Sequence, residues 1–475
     1  MRHLPNARSH DQARKSSARI TVIPLLQLSK VIFAENGHAV DYVFVKSDAI
    51  PILNFPVILC SDGTPWEIGN KYLINIPTQF RIKPLSTKTI RGTADDLLNY
   101  LRFLEEHSLD LLYLPKNERL RVTYRYLNYV QELVLAGSIR FSTGKQRINR
   151  MVNFYKGLIE QGLVSKRDLP NSPFEEMEAT IRSLDGKGFT KLTTIHTHNL
   201  KLSGSDENKD PTIIVDDGSL KPLTHDDQKI LLEALKRSNN RPMQLIFYLA
   251  LFSGARIQTC CTIRIRHIYG KLDSNNDLRL RIGTGTGIDN KNGKNMTIVI
   301  PGWLVNDLKI YADSPKAKKT QKKSRLGEID ENYLFLTNRG QPYYTSKADI
   351  TNFQKESQTK ETPANKPFRI HEGTTIRVFL AKLLKEISLS TPNFIDYSFH
   401  DLRATFGMNL LERLLNNPLH TVHSALTVVQ QRMGHADLEV TMRYLNYRAN
   451  QRIYNETQDA YEQALMELVQ HQHLQ

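Results

Sequence analysis

Cysteine is nearly absent: three residues in 475, two of them the adjacent Cys260 and Cys261. Adjacent thiols offer no metal-ligand spacing and three cysteines make no disulfide framework, so a zinc module and a stapled secreted domain are both disfavoured and a reducing intracellular compartment is expected. Long apolar runs are missing as well. The longest, Met243 to Phe252, is interrupted by Gln244 and falls well short of the roughly 20 residues that a membrane-spanning helix needs. The opening Met1-Arg-His-Leu-Pro-Asn6 has no apolar stretch, so no secretory signal is expected. No internal repeat and no sustained heptad occurs, which argues against a solenoid or a long coiled coil. Acidic side chains are the last shortage, 49 against 64 Lys and Arg, for a net charge of +15. Such an excess concentrates polyanions and favours nucleic acid or an anionic membrane surface as partner, without choosing between them.

What is present suggests a multidomain chain, mainly α with small β-sheets, too long for a single core. Residues 1–85 alternate β-branched and aromatic runs, Ala39 to Val45 and Pro56 to Cys60, with turn clusters such as Ser61-Asp-Gly-Thr-Pro65, and predict a small β-containing N-terminal module of unknown role. Residues 86–204 turn helical. Thr93 is expected to cap a first helix with Leu97, Leu98, Leu101 and Leu104 on one face. A second helix is predicted over 118–136, ending at Gly137, and a third over 142–163 with Ile148, Met151, Val152, Tyr155 and Ile159 inward and Arg147, Arg150 and Lys156 elsewhere. Residues 205–221 read as a polar linker. Thr224-His-Asp-Asp227 then opens a helix by the capping pattern, and Leu278–Ile282 with Met296–Ile300 alternate with period two around a Gly/Asn-rich turn, a hairpin signature. Lys316, Lys318, Lys319, Lys322, Lys323 and Arg325 form the densest basic run, either a solvated insertion or a contact to a nucleic-acid backbone. Arg147 and Arg150 are further candidates for such backbone contact.

The chemistry-bearing residues follow in a fixed order: Arg256 in Ser253-Gly-Ala-Arg-Ile257, His400 and Arg403 in His400-Asp-Leu-Arg403, His435 in Met433-Gly-His435, and Tyr444. His400 and Arg403, three apart on a helix predicted over 399–415, present imidazole and guanidinium to one side. A guanidinium matches phosphate oxygens bidentately, and Arg256 supplies a second for the charge that grows on five-coordinate phosphorus. Imidazole exchanges protons near neutrality. A tyrosine hydroxyl becomes a nucleophile only where a base and a cationic pocket favour phenolate. No metal and no other cofactor is then needed. Any one of these residues alone is more often packing or surface; the ordered set is what points to DNA strand breakage.

These boxes resemble the tyrosine recombinases, or phage integrase family, over about 222–448, and the helical 86–204 looks like that family's core-binding domain. The resemblance implies a helical core-binding (DNA-clamp) domain plus a mixed α+β catalytic domain, forming a C-shaped clamp on duplex DNA, with residues 449–475 as a helical tail packed on its own domain or on a neighbouring protomer. It further implies Tyr444 as nucleophile for a 3′-phosphotyrosyl intermediate, Arg256 and Arg403 as phosphate clamps, His400 as proton shuttle, His435 as phosphate donor, and a hairpin-tip lysine as general acid. Lys291 is preferred there, with Lys294 as the alternative. The implied partners are double-stranded DNA, a synaptic tetramer of the same chain and a directionality or DNA-bending accessory factor, in a bacterial cytoplasm and on the nucleoid when DNA-bound. Integration or excision of a mobile element is the expected biology. A dimer resolvase, a type IB topoisomerase-like enzyme and a non-catalytic DNA-binding regulator derived from a recombinase are the alternatives. Thr259 departs from the family, which carries an acidic residue three positions after the first arginine.

Two further motifs lead elsewhere and are set aside. Gly283-Thr-Gly-Thr-Gly287 lacks the Gly-Lys-Ser/Thr of a phosphate loop and enters a hairpin rather than a helix. His196-Thr-His198 has no accompanying cysteine or carboxylate cluster and reads as a solvated strand or loop.

Overall fold

The computed structural model describes residues 15–36, 39–47, 49–79, 87–184, 190–204, 213–216, 218–359 and 368–472. It is mainly helical with small antiparallel two-stranded sheets, and the chain divides into two compact units. Among the described residues no helix is long and apolar enough to cross a membrane.

The first unit begins with β1 (Arg19–Leu26), β2 (Ser29–Asn36), β3 (Ala39–Lys46) and β4 (Ile52–Leu59). β1 pairs with β4 in a register running from Arg19 opposite Leu59 to Leu26 opposite Ile52, and β2 pairs with β3. α1 (Glu67–Gln79) is tied to β4 by Asn70, whose side-chain amide accepts from the Ile58 N–H at 2.8 Å and donates to the Ile58 carbonyl at 2.9 Å. This satisfies the edge of β4 at Ile58, an edge that pairs with no named strand among the described residues. α2 (Thr87–Glu106), α3 (Val122–Leu135) and α4 (Phe141–Glu160) follow, then β5 (Glu176–Leu184) and β6 (Thr190–His198), which pair with each other. Ile52, Phe55 and Ile58 of β4 share one hydrophobic core with Leu97, Leu101, Tyr126, Val152 and Phe154 of the helices. Residues set apart from the sequence as 1–85 and 86–204 therefore bury their apolar faces against each other.

The helical cap expected at Thr93 lies inside α2 instead. The helix begins six residues earlier, and Thr93 Oγ1 donates back to the Thr89 carbonyl at 2.9 Å, the alternative open to a threonine within a helix. α3 and α4 are close to expectation, with Gly137 just past α3 at φ +68°. His196 and His198 lie on β6, with His196 3.6 Å from Glu178 and His198 Nε2 3.1 Å from Asn149 Oδ1.

The second unit opens with a short hairpin, β7 (Ile214–Val215) and β8 (Ser219–Leu220), paired Ile214 opposite Leu220 and Val215 opposite Ser219. α5 (His225–Arg237) is capped by Thr224, whose hydroxyl accepts from the Asp227 N–H, as its sequence predicted. α6 (Arg241–Ser253) is apolar on all sides, with Leu245, Ile246, Phe247, Leu249 and Ala250 all buried, which makes it the central helix of the unit. α7 (Ile257–Thr262) and α8 (Ile265–Ile268) lead to β9 (Leu278–Ile282) and β10 (Met296–Ile300), the predicted hairpin, in register from Leu278 opposite Ile300 to Ile282 opposite Met296. α9 (Gly302–Asp313), α10 (Pro315–Lys323), α11 (Lys347–Thr359, of which the residues up to Phe353 belong to this unit) and α12 (Thr374–Ser390) precede the three helices that carry the site: α13 (Asp401–Leu415), α14 (Val422–Met433) and α15 (Leu438–Gln472). Phe247 of α6 meets Phe399 edge-on at 5.1 Å between ring centroids. A separate cluster joins Ile214 and Leu220 to Ala404, Phe406 and Leu411 of α13, Leu426 and Val429 of α14, and Tyr444 of α15.

Candidate active site

α6 ends at Gly254, whose φ of +68° is the left-handed conformation that glycine adopts without a side-chain clash. A Cβ there would lie 2.5 Å from the Phe406 ring, so helix α13 approaches where only hydrogen fits. The carbonyl left over at this helix end is put to use: Arg403 Nη1 donates to Gly254 O at 2.8 Å, while Nη2 donates to the Met433 carbonyl at the end of α14. Arg403 is 3 % exposed, so its guanidinium is set rigidly by two helix ends rather than by solvent. Arg256 follows two residues after Gly254, half-buried at the cap of α7.

His435, 8 % exposed, comes directly after Gly434, which ends α14 in the left-handed conformation. Its Nδ1 lies 2.9 Å from the Thr441 hydroxyl. Thr441 and Tyr444 are one turn apart on α15, so the same helix orients the imidazole and carries the phenol. Tyr444 is fully buried, its ring 5.7 Å from that of His435 and against Gly407 of α13, where a Cβ would stand 2.7 Å from the phenol ring.

All three converge on one oxygen. Asp216, in the β7–β8 hairpin and 4 % exposed, receives the Tyr444 hydroxyl at 2.9 Å and His435 Nε2 at 3.1 Å on Oδ2, with Arg403 Nε 3.7 Å away. A carboxylate only accepts, so Nε2 carries the proton in this contact. Burial opposes ionisation of Asp216, but the His435 hydrogen bond and the Arg403 charge outweigh it and hold the carboxyl well below the usual range. Tyr444 moves the other way. Burial first, then the neighbouring Asp216 charge, pushes its phenol far above the ordinary value, against the opposing pull of Arg403 and Arg256.

The remaining predicted residues are placed as follows. His400 is half-buried at the cap of α13, with its carbonyl accepting the Arg403 N–H at 3.0 Å. Lys291 is exposed in the turn at the β9–β10 tip, whereas the alternative Lys294 donates from Nζ to the Gly434 carbonyl at 3.0 Å, beside His435. Thr259 is buried and donates to the Asp289 carbonyl at 2.8 Å, so its hydroxyl steadies the approach to the hairpin tip. Lys316, Lys318, Lys319, Lys322 and Lys323 lie exposed along α10, which packs through Ala317, Thr320 and Gln321, and Arg325 sits over the Phe368 ring. Arg147 and Arg150 of α4 are half-buried, Arg150 Nε lying 3.8 Å from Asp96.

Two acidic residues at this corner carry no mark in the sequence. Asp401, inside the His400–Arg403 box, accepts the Lys221 N–H at 2.6 Å on one oxygen and the Ser398 N–H and hydroxyl on the other. Asp216 itself falls in the stretch expected to be a linker. The turn-forming Asp-Asp-Gly between Ile213-Ile-Val215 and Ser219-Leu220 was the available hairpin signal, but nothing local marks its first aspartate as buried.

A sequence model described as the phage integrase family matches residues 221–451, the segment that carries Arg256, His400, Arg403, His435 and Tyr444. No curated protein matches the sequence. Solved structures similar to this chain include the Tn1549 transposon integrase (residues 82–397) in complex with circular intermediate DNA, at 14 % identity and a TM-score of 0.42 over 79 % of this chain and 94 % of that one. A lambda integrase (75–356) dimer bound to a COC′ core site has 12 % identity and a TM-score of 0.43, again over 79 % and 94 %. The catalytic domain of bacteriophage HP1 integrase has 17 % identity and a TM-score of 0.23 over 48 % and 88 %.

Proposed function

We propose that the chain is a site-specific DNA recombinase that cuts and rejoins strands through a covalent 3′-phosphotyrosyl intermediate, serving integration or excision of a mobile element. The observation that carries this reading is the convergence of a guanidinium, an imidazole N–H and a phenol on a single anionic oxygen. These are the groups that a phosphodiester under attack by tyrosine requires.

In this reaction Tyr444 Oη attacks the scissile phosphorus as His400 takes the phenolic proton. Arg403 and Arg256 neutralise the charge that develops on the non-bridging oxygens, and His435 Nε2 donates to one of them. The bond from phosphorus to the 5′-oxygen breaks, and Lys291 delivers the proton that the leaving oxygen needs. The same steps in reverse, with a new 5′-hydroxyl, reseal the strand. Duplex DNA is the substrate, and recombination between two sites requires an assembly of several copies, as with the lambda integrase tetramer that was solved on a Holliday junction. Exposed lysines on α10 are suited to contacts with the DNA backbone.

The test is a library of nicked duplexes with randomised cores, incubated with protein and resolved on a denaturing gel. A covalent protein–DNA band with the wild type and none with Tyr444→Phe is expected. Equal bands in both refute Tyr444 as the nucleophile, and no band with any duplex refutes the reaction.

A further inference from the structure

We infer that Asp216 is an internal stand-in for the phosphodiester, so that the β7–β8 hairpin holds the site shut until an oxyanion displaces it; this rests on the proposed reaction for its meaning but not for its measurement. The Asp216 carboxylate takes the contacts that a bound phosphate oxygen would take: the His435 Nε2 proton at 3.1 Å, the Tyr444 hydroxyl at 2.9 Å and the Arg403 guanidinium at 3.7 Å. Nδ1 of His435 is engaged with Thr441, which leaves the imidazole no second proton for a phosphate while Asp216 stays. Carboxylate and phosphate therefore compete for one place. A supporting carboxylate retained during the reaction would instead sit beside the cationic groups and leave that donor open. Two like charges in one buried pocket would also repel strongly.

The segment that carries Asp216 is built as a strap. Its strands are two residues each, too short to hold themselves by pairing. They are held by side chains instead: Ile214 and Leu220 sink into the cluster around Phe406 and Tyr444, Arg443 Nη1 of α15 donates to the Val215 carbonyl at 2.8 Å, and Lys221 N–H donates to Asp401. The strap thus grips both the helix that carries the phenol and the helix that carries Arg403. Its withdrawal would unveil Tyr444, which has no exposed surface while the strap is seated. Binding of any oxyanion is weakened by the fraction of molecules in which the strap is closed.

Inorganic phosphate is the probe, titrated calorimetrically at constant ionic strength into the full chain. Asp216→Asn keeps the size of the side chain and removes its charge, and its affinity for phosphate should exceed wild type by about tenfold or more, the gain expected when a dominant closed state is lost. Arg443→Ala loosens the strap without touching a group that binds the anion and should shift affinity in the same direction by less. A melting curve checks that each variant is folded; should Asp216→Asn fail to fold, Arg443→Ala decides alone, and unchanged affinity overturns the proposal. The nicked-duplex assay separates this idea from the reaction. A gain in phosphate affinity with no covalent band from any protein supports the strap and sinks the recombinase reading. Unchanged affinity with normal bands does the reverse. Bands lost in folded Asp216→Asn and restored in Asp216→Glu would show that the carboxylate serves the chemistry, which also overturns the proposal.

Discussion

The second unit contains two hairpins that meet the candidate site by opposite means. β9–β10 pairs five residues with five, alternates buried and exposed side chains along β9, buries Ile298, Val299 and Ile300 of β10, and carries Lys291 into solvent at its tip. β7–β8 pairs two residues with two and delivers a charged carboxylate into a place with almost no solvent access. The first is stabilised by its own ladder and by apolar side chains that β10 buries on both of its faces. The second depends on what it docks against, namely Phe406, Arg443 and Asp401. A self-supporting hairpin can present mobile groups to a substrate, whereas a docked one responds when its anchors are competed for.

Arg403 lies on the docked side of that contrast, and Arg403→Ala should lower the yield of covalent adduct by about 10²–10³-fold, the cost of removing one donor to developing charge. Duplex binding in a filter or anisotropy assay should stay nearly unchanged, because many other phosphate contacts remain. Abolished binding by a folded variant would mean that Arg403 serves the interface rather than the reaction. On the self-supporting side, Lys291→Ala should slow cleavage by about 10²-fold if its ammonium is the general acid. A 5′-thio leaving group, which needs no proton, should restore the rate. Should Lys294→Ala show that behaviour and Lys291→Ala none, the lysine beside Gly434 takes the role and the exposed tip is only solvated.

Gly254→Ala sharpens the comparison through the frame shared by α6 and α13. The left-handed φ and the missing space beside Phe406 should cost about 1–3 kcal/mol, visible as a lower urea midpoint with an unchanged slope. An unaffected midpoint would show that the Arg403 anchor is more compliant than its hydrogen bonds suggest. The smallest effect belongs to α10. Replacing Lys316, Lys318 and Lys319 by glutamine should reduce the dependence of duplex affinity on the logarithm of salt by about 0.9 for each phosphate that α10 no longer neutralises. An identical slope would leave that helix as a solvated surface.

Legibility in the sequence followed the same divide. Elements whose pattern is local were foreseen: the β9–β10 pairing and the alternation of β9, though not that of β10, which buries Ile298, Val299 and Ile300 in succession, and the Thr224 cap; the structure also brings the side chains of the Arg403, His435 and Tyr444 boxes together. Thr93 misled because a threonine followed by acids looks the same whether it caps a helix or sits within one; only the start of α2 at Thr87 distinguishes them. Asp216 was invisible for a stronger reason. Its burial is compensated by groups 187, 219 and 228 positions along the chain, Arg403, His435 and Tyr444, and no window of neighbouring residues contains that information. The β3 run from Ala39 to Val45 was readable as a strand, but nothing local predicts that, among the described residues, Phe33 of β2 and Phe44 of β3 stand exposed.

The most direct measurement is the site of attachment. Covalent adduct trapped on a nicked duplex should be digested with nuclease and protease, and the nucleotide-bearing peptide sequenced by mass spectrometry. The nucleotide is predicted on Tyr444, joined through its 3′-phosphate. Attachment to another side chain, such as Tyr447 one turn further along α15, or through a 5′-phosphate, would contradict the account.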